Sequence, residues 1–200
     1  MRGRIIAHDP GSVNYGYAVL EFVAEENASS VDQLAFSVLH VGKMKSLMST
    51  LKKSGLAEKE MRALIEEMSS LIDKWKPSVQ IAERFMSRRM GGVTIELVNM
   101  ELGALRVLSV QRGIPLKMIP ASQWKNELAR RGVELKDAEG KRGMYWESKE
   151  HGISPHELDA VWIGIYGMYS LLGARAFEGN TLALKSAVSK KLKRLKGGRK

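Results

Sequence analysis

The chain has 200 residues, of which 44% are hydrophobic and 27% charged, as in folded globular domains. This length favours one domain with at most an appendage. The absence of cysteine excludes disulfides, thiolate metal sites and cysteine nucleophiles. No segment approaches the run of about 18 apolar residues that indicates a membrane span, and the N-terminal sequence lacks the apolar run of a signal peptide. We therefore expect a cytoplasmic protein without membrane attachment.

The net charge of +10 is concentrated at one end of the chain. Residues 185–200 contain eight Lys and Arg and no acid, which leaves residues 1–184 near +2. This excess predicts a polyanionic partner, and nucleic acid is favoured over a membrane because the segment lacks the aromatic face of an interfacial helix. A solubilising terminus is the alternative. The predicted organisation is one folded domain over residues 1–178 and a basic, flexible tail over residues 179–200.

Three β-prone segments precede any long helix. Residues 4–9 form a short apolar run that enters an Asp-Pro-Gly turn, and residues 15–22 follow at the distance of a hairpin partner. Residues 34–43 have the composition of a third strand. Their order predicts an antiparallel meander at the start of the domain.

The periodicity then changes to that of helices. Apolar residues at helical spacing predict a helix over residues 55–75, which Pro77 ends before a strand at residues 79–85. Residues 94–112 also form a predicted helix, but apolar residues occupy nearly every side of it. Such a helix is buried on two sides, so one side faces the sheet and the other is available to a second subunit.

The last third of the chain predicts one more strand and several helices. The strand covers residues 116–119, and shorter basic helices follow within residues 122–151. Ser154 precedes Pro155 and lies three residues before Glu157, which is the pattern of a capping box that opens a final helix. The order of elements indicates an α+β or α/β architecture, a mixed sheet with helices on its faces.

Four residues are candidates for metal chemistry. Asp9 closes the first predicted strand, and Glu83 lies at the end of the strand after the first long helix. His156 and Asp159 are three residues apart on one face of the final helix. Mg²⁺ prefers oxygen ligands on a rigid scaffold that leaves room for water and phosphate. Each residue also has a structural alternative. Asp9 could belong to a turn and Glu83 to a surface ion pair. His156 could be simply exposed, and Asp159 could interact with the dipole at the start of the helix.

Four segments resemble RuvC-type Holliday-junction resolvases and have the same order along the chain as in that family. Residues 5–12 (IIAHDPGS), with the YGY of residues 15–17, resemble the opening strand and hairpin of that family. Residues 79–83 (VQIAE) resemble its second acidic strand, and residues 156–160 (HELDA) its last helix. Residues 120–125 (PASQWK) resemble the basic segment that leads to DNA.

The resemblance implies a ribonuclease-H-like α/β fold with a mixed five-stranded sheet flanked by helices. It implies a homodimer that forms through residues 94–112 and an endonuclease that resolves four-way DNA junctions by paired symmetric nicks. It also carries Asp9, Glu83, His156 and Asp159 over as the catalytic and metal-binding residues. The expected cofactor is Mg²⁺, with two ions per active site bridged by Asp9, and Mn²⁺ is expected to substitute.

The resemblance also indicates where DNA is contacted. The family places DNA-contacting lysines where this chain has Lys125 and Lys141, and an aromatic residue near the junction centre where this chain has Met86 after Phe85. Neighbouring cations add phosphate contacts that position the duplex arms. The predicted DNA-binding set is Phe85, Met86, Arg88, Arg89, Lys125, Arg130, Arg131, Lys136, Lys141 and Arg142.

Two alternative functions share these features. A ribonuclease-H-like nuclease that acts on RNA or on an RNA–DNA hybrid would use the same acidic set. A non-catalytic protein that binds branched DNA would use the basic segments and keep the carboxylates as structural groups. Competition between a junction, a linear duplex and a hybrid distinguishes the ribonuclease from a junction resolvase. Dependence of cleavage on a divalent metal distinguishes a nuclease from the non-catalytic binding protein.

Overall fold

The structure, a computed structural model, places five strands in one mixed sheet. It describes residues 2–11, 13–24, 34–45, 47, 58–84, 92–130, 152–172 and 188–195. The strands are β1 (Arg2–Asp9), β2 (Asn14–Ala24), β3 (Leu34–Lys45), β4 (Val79–Arg84) and β5 (Leu116–Pro120). Their order across the sheet is β3-β2-β1-β4-β5.

The pairing of the strands brings two sequence-distant ends together. β1 pairs antiparallel with β2, and β2 with β3, which confirms the predicted meander. β1 and β4 are parallel, with His8 opposite Ala82, and β4 and β5 are parallel as well. Because parallel strands end at the same edge of a sheet, Asp9 and Glu83 both lie at the carboxyl edge of the central strands.

Five helices cover the two faces of this sheet in the described part of the chain. They are α1 (Glu58–Trp75), α2 (Gly92–Gln111), α3 (Ala121–Arg130), α4 (Pro155–Leu172) and α5 (residues 188–195). None of these helices has the length and apolar character that a membrane span requires.

Alternation along β1 divides the apolar side chains between two cores. Ile6 points to the core that α1 and α2 close, where Leu64 and Leu105 are buried. Ile5 points to the opposite core, which α3 and α4 close and where Trp124 and Trp162 have no exposed surface. The predicted acids lie on the α3 and α4 side of the sheet.

The start of α4 has the predicted capping box. The backbone N–H of Glu157 donates to Oγ of Ser154 at 3.3 Å, and the backbone N–H of Ser154 donates to Oε2 of Glu157 at 2.7 Å. These two bonds satisfy donors that a helix start otherwise leaves without partners. The cap fixes where α4 begins and so where its first turn meets the sheet.

Part of the basic C-terminal segment is helical. In α5 the side chains of Val188 and Leu192 are each 3% exposed and belong to the core on the α4 side. Residues 188–195 therefore differ from the expected free tail, because a pair of apolar side chains one helical turn apart has a core to enter. The remaining residues of 179–200 lie outside the described part of the chain.

Candidate active site

Asp9 and His156 form the centre of the candidate site. Asp9 ends β1 and is 5% exposed, while His156 lies in the first turn of α4. Nδ1 of His156 lies 2.7 Å from Oδ2 of Asp9, and the imidazole N–H donates this hydrogen bond. The bond joins residues 147 positions apart and confirms that β1 and the start of α4 meet.

Glu83 is held by an indole that the sequence did not single out. Nε1 of Trp124 donates to Oε2 of Glu83 at 2.9 Å, and the Trp124 ring is fully buried beneath α3. A hydrogen bond to a charged acceptor from a fixed donor restricts the rotamers of the carboxylate. Trp124 therefore restrains the orientation of the Glu83 carboxylate.

Lys125 lies between two of the acids. Its Nζ is 3.6 Å from Oδ2 of Asp159 and 4.0 Å from Oε2 of Glu83, and it also stands 4.7 Å from the centre of the Trp124 ring. The Lys125 side chain is 28% exposed and the Asp159 side chain 7%. The lysine predicted to contact DNA is thus the cation of this carboxylate cluster.

The electrostatics of the cluster act on Asp9. Burial raises the pKa of Asp9 from 3.8 to about 7, and the hydrogen bond from His156 opposes this shift. The charges of Asp159 and Glu83 raise the same pKa further. Asp159 and Glu83 are therefore close enough to Asp9 to disfavour its negative charge, and a positive charge beside Asp9 would favour it.

A polar network behind the site holds β1 to its neighbours. Nε2 of His8 lies 3.0 Å from Oε1 of Gln80, and Nε2 of Gln80 donates to Oγ of Ser109 at 2.7 Å. Burial lowers the pKa of His8 to about 4, so the imidazole is neutral at neutral pH. This network ties the residue before Asp9 to β4 and α2. The sequence feature that could have indicated this network is a polar residue, His8 or Gln80, inside an otherwise apolar strand.

The predicted DNA-contacting residues are only partly described. Lys125 belongs to the acidic cluster, and Arg130 is an exposed residue at the end of α3 that pairs with Glu127 at 2.6 Å. The other predicted contacts lie outside the described residues: Phe85, Met86, Arg88, Arg89, Arg131, Lys136, Lys141 and Arg142.

The three carboxylates of the cluster, on rigid elements, fit Mg²⁺ in the chemistry of their oxygen donors, whereas the imidazole is a less usual ligand for this ion. Burial, with the charges of Asp159 and Glu83, raises the pKa of Asp9, and a divalent cation beside it would favour its charged form, which is a second point of agreement. The arrangement of the side chains differs from a preformed cage. Among the described residues no three His, Asp or Glu side chains are placed to hold one metal ion, and the acids pair with His156 and Lys125 instead.

No protein family and no curated protein matches this sequence. The fold, in contrast, matches solved structures. RuvC of Thermus thermophilus in complex with a Holliday junction substrate aligns with a TM-score of 0.60 and 18% identity, over 85% of this chain and 96% of that chain. The yeast mitochondrial Holliday junction resolvase aligns with a TM-score of 0.51 and 14% identity, over 80% of this chain and 76% of that chain.

These neighbours define the class of the fold. The chain has the RuvC-type, ribonuclease-H-like architecture, as the sequence motifs predicted. The identities are low, so the agreement is one of backbone architecture. Structural neighbours of this chain are RuvC and another Holliday junction resolvase.

Proposed function

We propose that this protein is a Mg²⁺-dependent endonuclease that resolves four-way DNA junctions by paired symmetric nicks. The single observation that carries the proposal is the meeting of Asp9, Glu83, His156 and Asp159 at one edge of a RuvC-like sheet. A fold supports many functions, so the proposal rests on this site and takes the junction substrate from the structural neighbours.

Asp9, Glu83, His156 and Asp159 are the residues that would hold the metal. Mg²⁺, when bound, supplies the positive charge that stabilises phosphodiester hydrolysis to 5′-phosphate and 3′-hydroxyl ends. The chain's own residues orient the donors. The imidazole of His156 fixes the Asp9 carboxylate, and the indole of Trp124 fixes the Glu83 carboxylate.

Lys125 contacts a phosphate of the DNA substrate in this proposal. Its ammonium group lies within 4.0 Å of two carboxylates, and the flexible lysine stem lets it turn from them to an incoming phosphate. Binding of a cation among the acids would remove the electrostatic reason for Lys125 to remain there. Metal and DNA would then be bound together, with the phosphate placed next to the acids.

A homodimer through α2 completes the proposal. Residues 94–112 bury one face against the sheet, but Val107 and Val110 are 55% and 81% exposed on the single chain. A two-fold interface on this helix would cover these valines and supply two equivalent active sites. Two symmetric sites account for two symmetric nicks in one junction.

The experiment is cleavage of a labelled, immobile four-way junction by the purified protein, with Mg²⁺ or with EDTA. Asp9→Asn and Asp159→Asn are compared with Glu66→Gln, which removes an exposed carboxylate from α1. We expect paired nicks that require Mg²⁺, persist in Glu66→Gln, and fall at least about 100-fold in both Asp variants. Junction binding is expected to remain in all three.

The competing functions give different results in the same assay. Preferred cleavage of an RNA–DNA hybrid or of RNA over the junction would assign the acids to a ribonuclease. Tight binding of the junction without cleavage in Mg²⁺ or Mn²⁺ would identify a branched-DNA-binding protein. Cleavage by Asp9→Asn at the wild-type rate would remove this carboxylate from the chemistry.

A further inference from the structure

Helix α5 has two faces of different chemistry. Val188, Leu192 and Leu195 follow one another at helical spacing, and the first two are buried in the core on the α4 side. The opposite face carries Lys190, and Lys193 and Arg194 lie three and four residues further along. All three of these cations are exposed. The helix is therefore a docked element that presents a set of positive charges in a fixed orientation.

Lys191 and Phe36 locate the docking position. Nζ of Lys191 stands 3.8 Å from the centre of the Phe36 ring, which is a cation–π contact, and burial lowers the pKa of this lysine. Phe36 belongs to β3 and pairs with Phe22 on β2, which in turn pairs with Gly3 on β1. Gly3 precedes Asp9 by six residues in the same strand. At about 3.3 Å per strand residue, the Phe36 contact of α5 lies roughly 20 Å from Asp9 along the strand direction.

The charge of α5 stands out against the rest of the molecule. Residues 188–195 contain four Lys and Arg and no acid, whereas residues 1–184 together are near +2. Charges held on a helix in one orientation match a regular array of phosphates better than the same charges on a free chain, because less conformational freedom is lost on binding.

We propose that the exposed face of α5 (Lys190, Lys193 and Arg194) is a second contact for the phosphate backbone of duplex DNA, separate from the acidic site. The inference rests on the proposed function, because it takes the arm of the substrate junction as the duplex. A spacing of about 20 Å corresponds to about six base pairs along B-DNA. The proposal places the arm along the strand direction, so that an arm with its cleaved phosphate at Asp9 reaches α5 about half a helical turn away.

The test uses the full chain with Lys190, Lys193 and Arg194 all changed to Gln. The matched control is Lys59→Gln, Arg62→Gln and Lys74→Gln, which removes the same charge from exposed positions on α1. Because α1 covers the other face of the sheet, the two triple variants have the same net charge but lose their cations at different places on the protein. Affinity for a four-way junction and for a linear duplex is measured in EDTA over a range of salt concentrations, which keeps the measurement independent of cleavage.

We expect the slope of log affinity against log salt to become less steep by about 2 to 3 in the α5 variant, since each phosphate contact contributes about 0.9. The α1 control should keep the wild-type slope. A double variant Lys190→Arg, Lys193→Arg should retain it as well, because charge is conserved. An unchanged slope in the α5 variant, or an equal change in the α1 control, would overturn the inference.

Arm length tests the position of α5. Junctions with hairpin-capped arms of about 4 base pairs end before α5, whereas arms of about 15 base pairs extend past it. The loss of affinity in the α5 variant should therefore appear with long arms and disappear with short ones. An equal loss with both arm lengths would overturn the placement of the duplex. Loss of binding to phosphatidylserine vesicles without any effect on DNA would assign the helix to a membrane and overturn the inference.

The results separate this inference from the proposed function. If the α5 variant weakens binding to duplex DNA while the wild type cleaves no junction, α5 is a DNA contact and the proposed activity fails. If the wild type resolves junctions and the α5 variant binds every DNA with the wild-type salt dependence, the proposed activity stands and the α5 contact fails.

Discussion

Gly16 of β2 and His156 of α4 touch through their backbones. Gly16 pairs with Asp9 across the sheet, so it lies beside the central carboxylate. A Cβ atom at residue 16 would overlap the carbonyl group of His156 and would come within 2.9 Å of the backbone nitrogen of Glu157. The absence of a side chain at this position is what lets the first turn of α4 approach β1 closely enough for His156 to reach Asp9.

This contact predicts a strong effect of Gly16→Ala. The added methyl group meets backbone atoms, which do not move aside as a flexible side chain does, so α4 must shift. We expect a loss of about 1 to 3 kcal/mol in the free energy of unfolding and a larger loss of cleavage. Gly92→Ala is the control, because a Cβ at residue 92 meets nothing within 4 Å. Wild-type cleavage by Gly16→Ala would show that this approach is not needed for the site.

The hydrogen bond from Trp124 to Glu83 gives a second prediction. Trp124→Phe keeps a buried aromatic ring but removes the donor that lies 2.9 Å from the carboxylate. We expect cleavage to fall by about tenfold or more, because small misplacement of a catalytic group is costly. Urea unfolding and single-turnover cleavage are measured on the same preparations.

Trp162→Phe is the matched control for that prediction. Trp162 is also fully buried, and its indole nitrogen has no hydrogen-bond partner in the described part of the chain. Both variants lose similar buried volume, so both should lose stability. Cleavage should fall in Trp124→Phe alone. An equal loss of cleavage in the two variants would trace the effect to packing instead of to Glu83.

The sequence predicted the elements of this fold more readily than their contacts. Alternating and helical periodicity depend on neighbouring residues, so the limits of β1 and α1 could be predicted to within a few residues. The order of the strands came from the resemblance, because periodicity carries no information on which strands pair. The four candidate residues for metal chemistry were predicted from their places at the ends of apolar elements, and the resemblance implies the same four.

The contacts that hold the side chains of the candidate site in place could not be predicted from the sequence. The bond between Trp124 and Glu83 and the position of Lys125 among the acids both depend on how α3 packs on the sheet. Such contacts join residues about 40 positions apart, and a tryptophan in an amphipathic helix is first of all a core residue. Gly16 belongs to the YGY motif of residues 15–17, but its role depends on the position of the α4 backbone beside it, which the sequence does not show.

The exposed valines of α2 give a third prediction. Val110→Asp places a charge in the proposed dimer interface, where desolvation of an unpaired carboxylate is unfavourable. We expect the variant to sediment as a monomer at concentrations where the wild type is a dimer, and to nick junctions singly instead of in pairs. Val23→Asp, at a position of β2 that is 47% exposed, is the control and should leave the sedimentation unchanged. A wild type that sediments as a monomer would remove the dimer from the proposal.

The fourth prediction concerns Glu101, a carboxylic acid inside the apolar face of α2. Glu101 has no exposed surface, and burial raises its pKa from 4.5 to about 8, while the backbone of Leu47 favours the charged form and opposes the shift. Burial raises the pKa of the Tyr15 hydroxyl, and the Glu101 carboxylate raises it further, so a negative charge at Glu101 would act on a residue next to Gly16. The folded protein therefore keeps a proton on Glu101 at neutral pH.

This proton makes stability depend on pH. Between the unfolded value of 4.5 and the folded value of about 8, the native state binds a proton that the unfolded state has released. The free energy of unfolding must then fall as pH rises through this window. Glu101→Gln removes the titration, so it should be close to wild type near pH 5 and more stable near pH 8, by roughly 4 kcal/mol at most. Urea unfolding at several pH values measures the difference, with Glu96→Gln, an exposed position of the same helix, as the control. A constant difference between Glu101→Gln and wild type across this range would show that Glu101 does not retain its proton in the folded state.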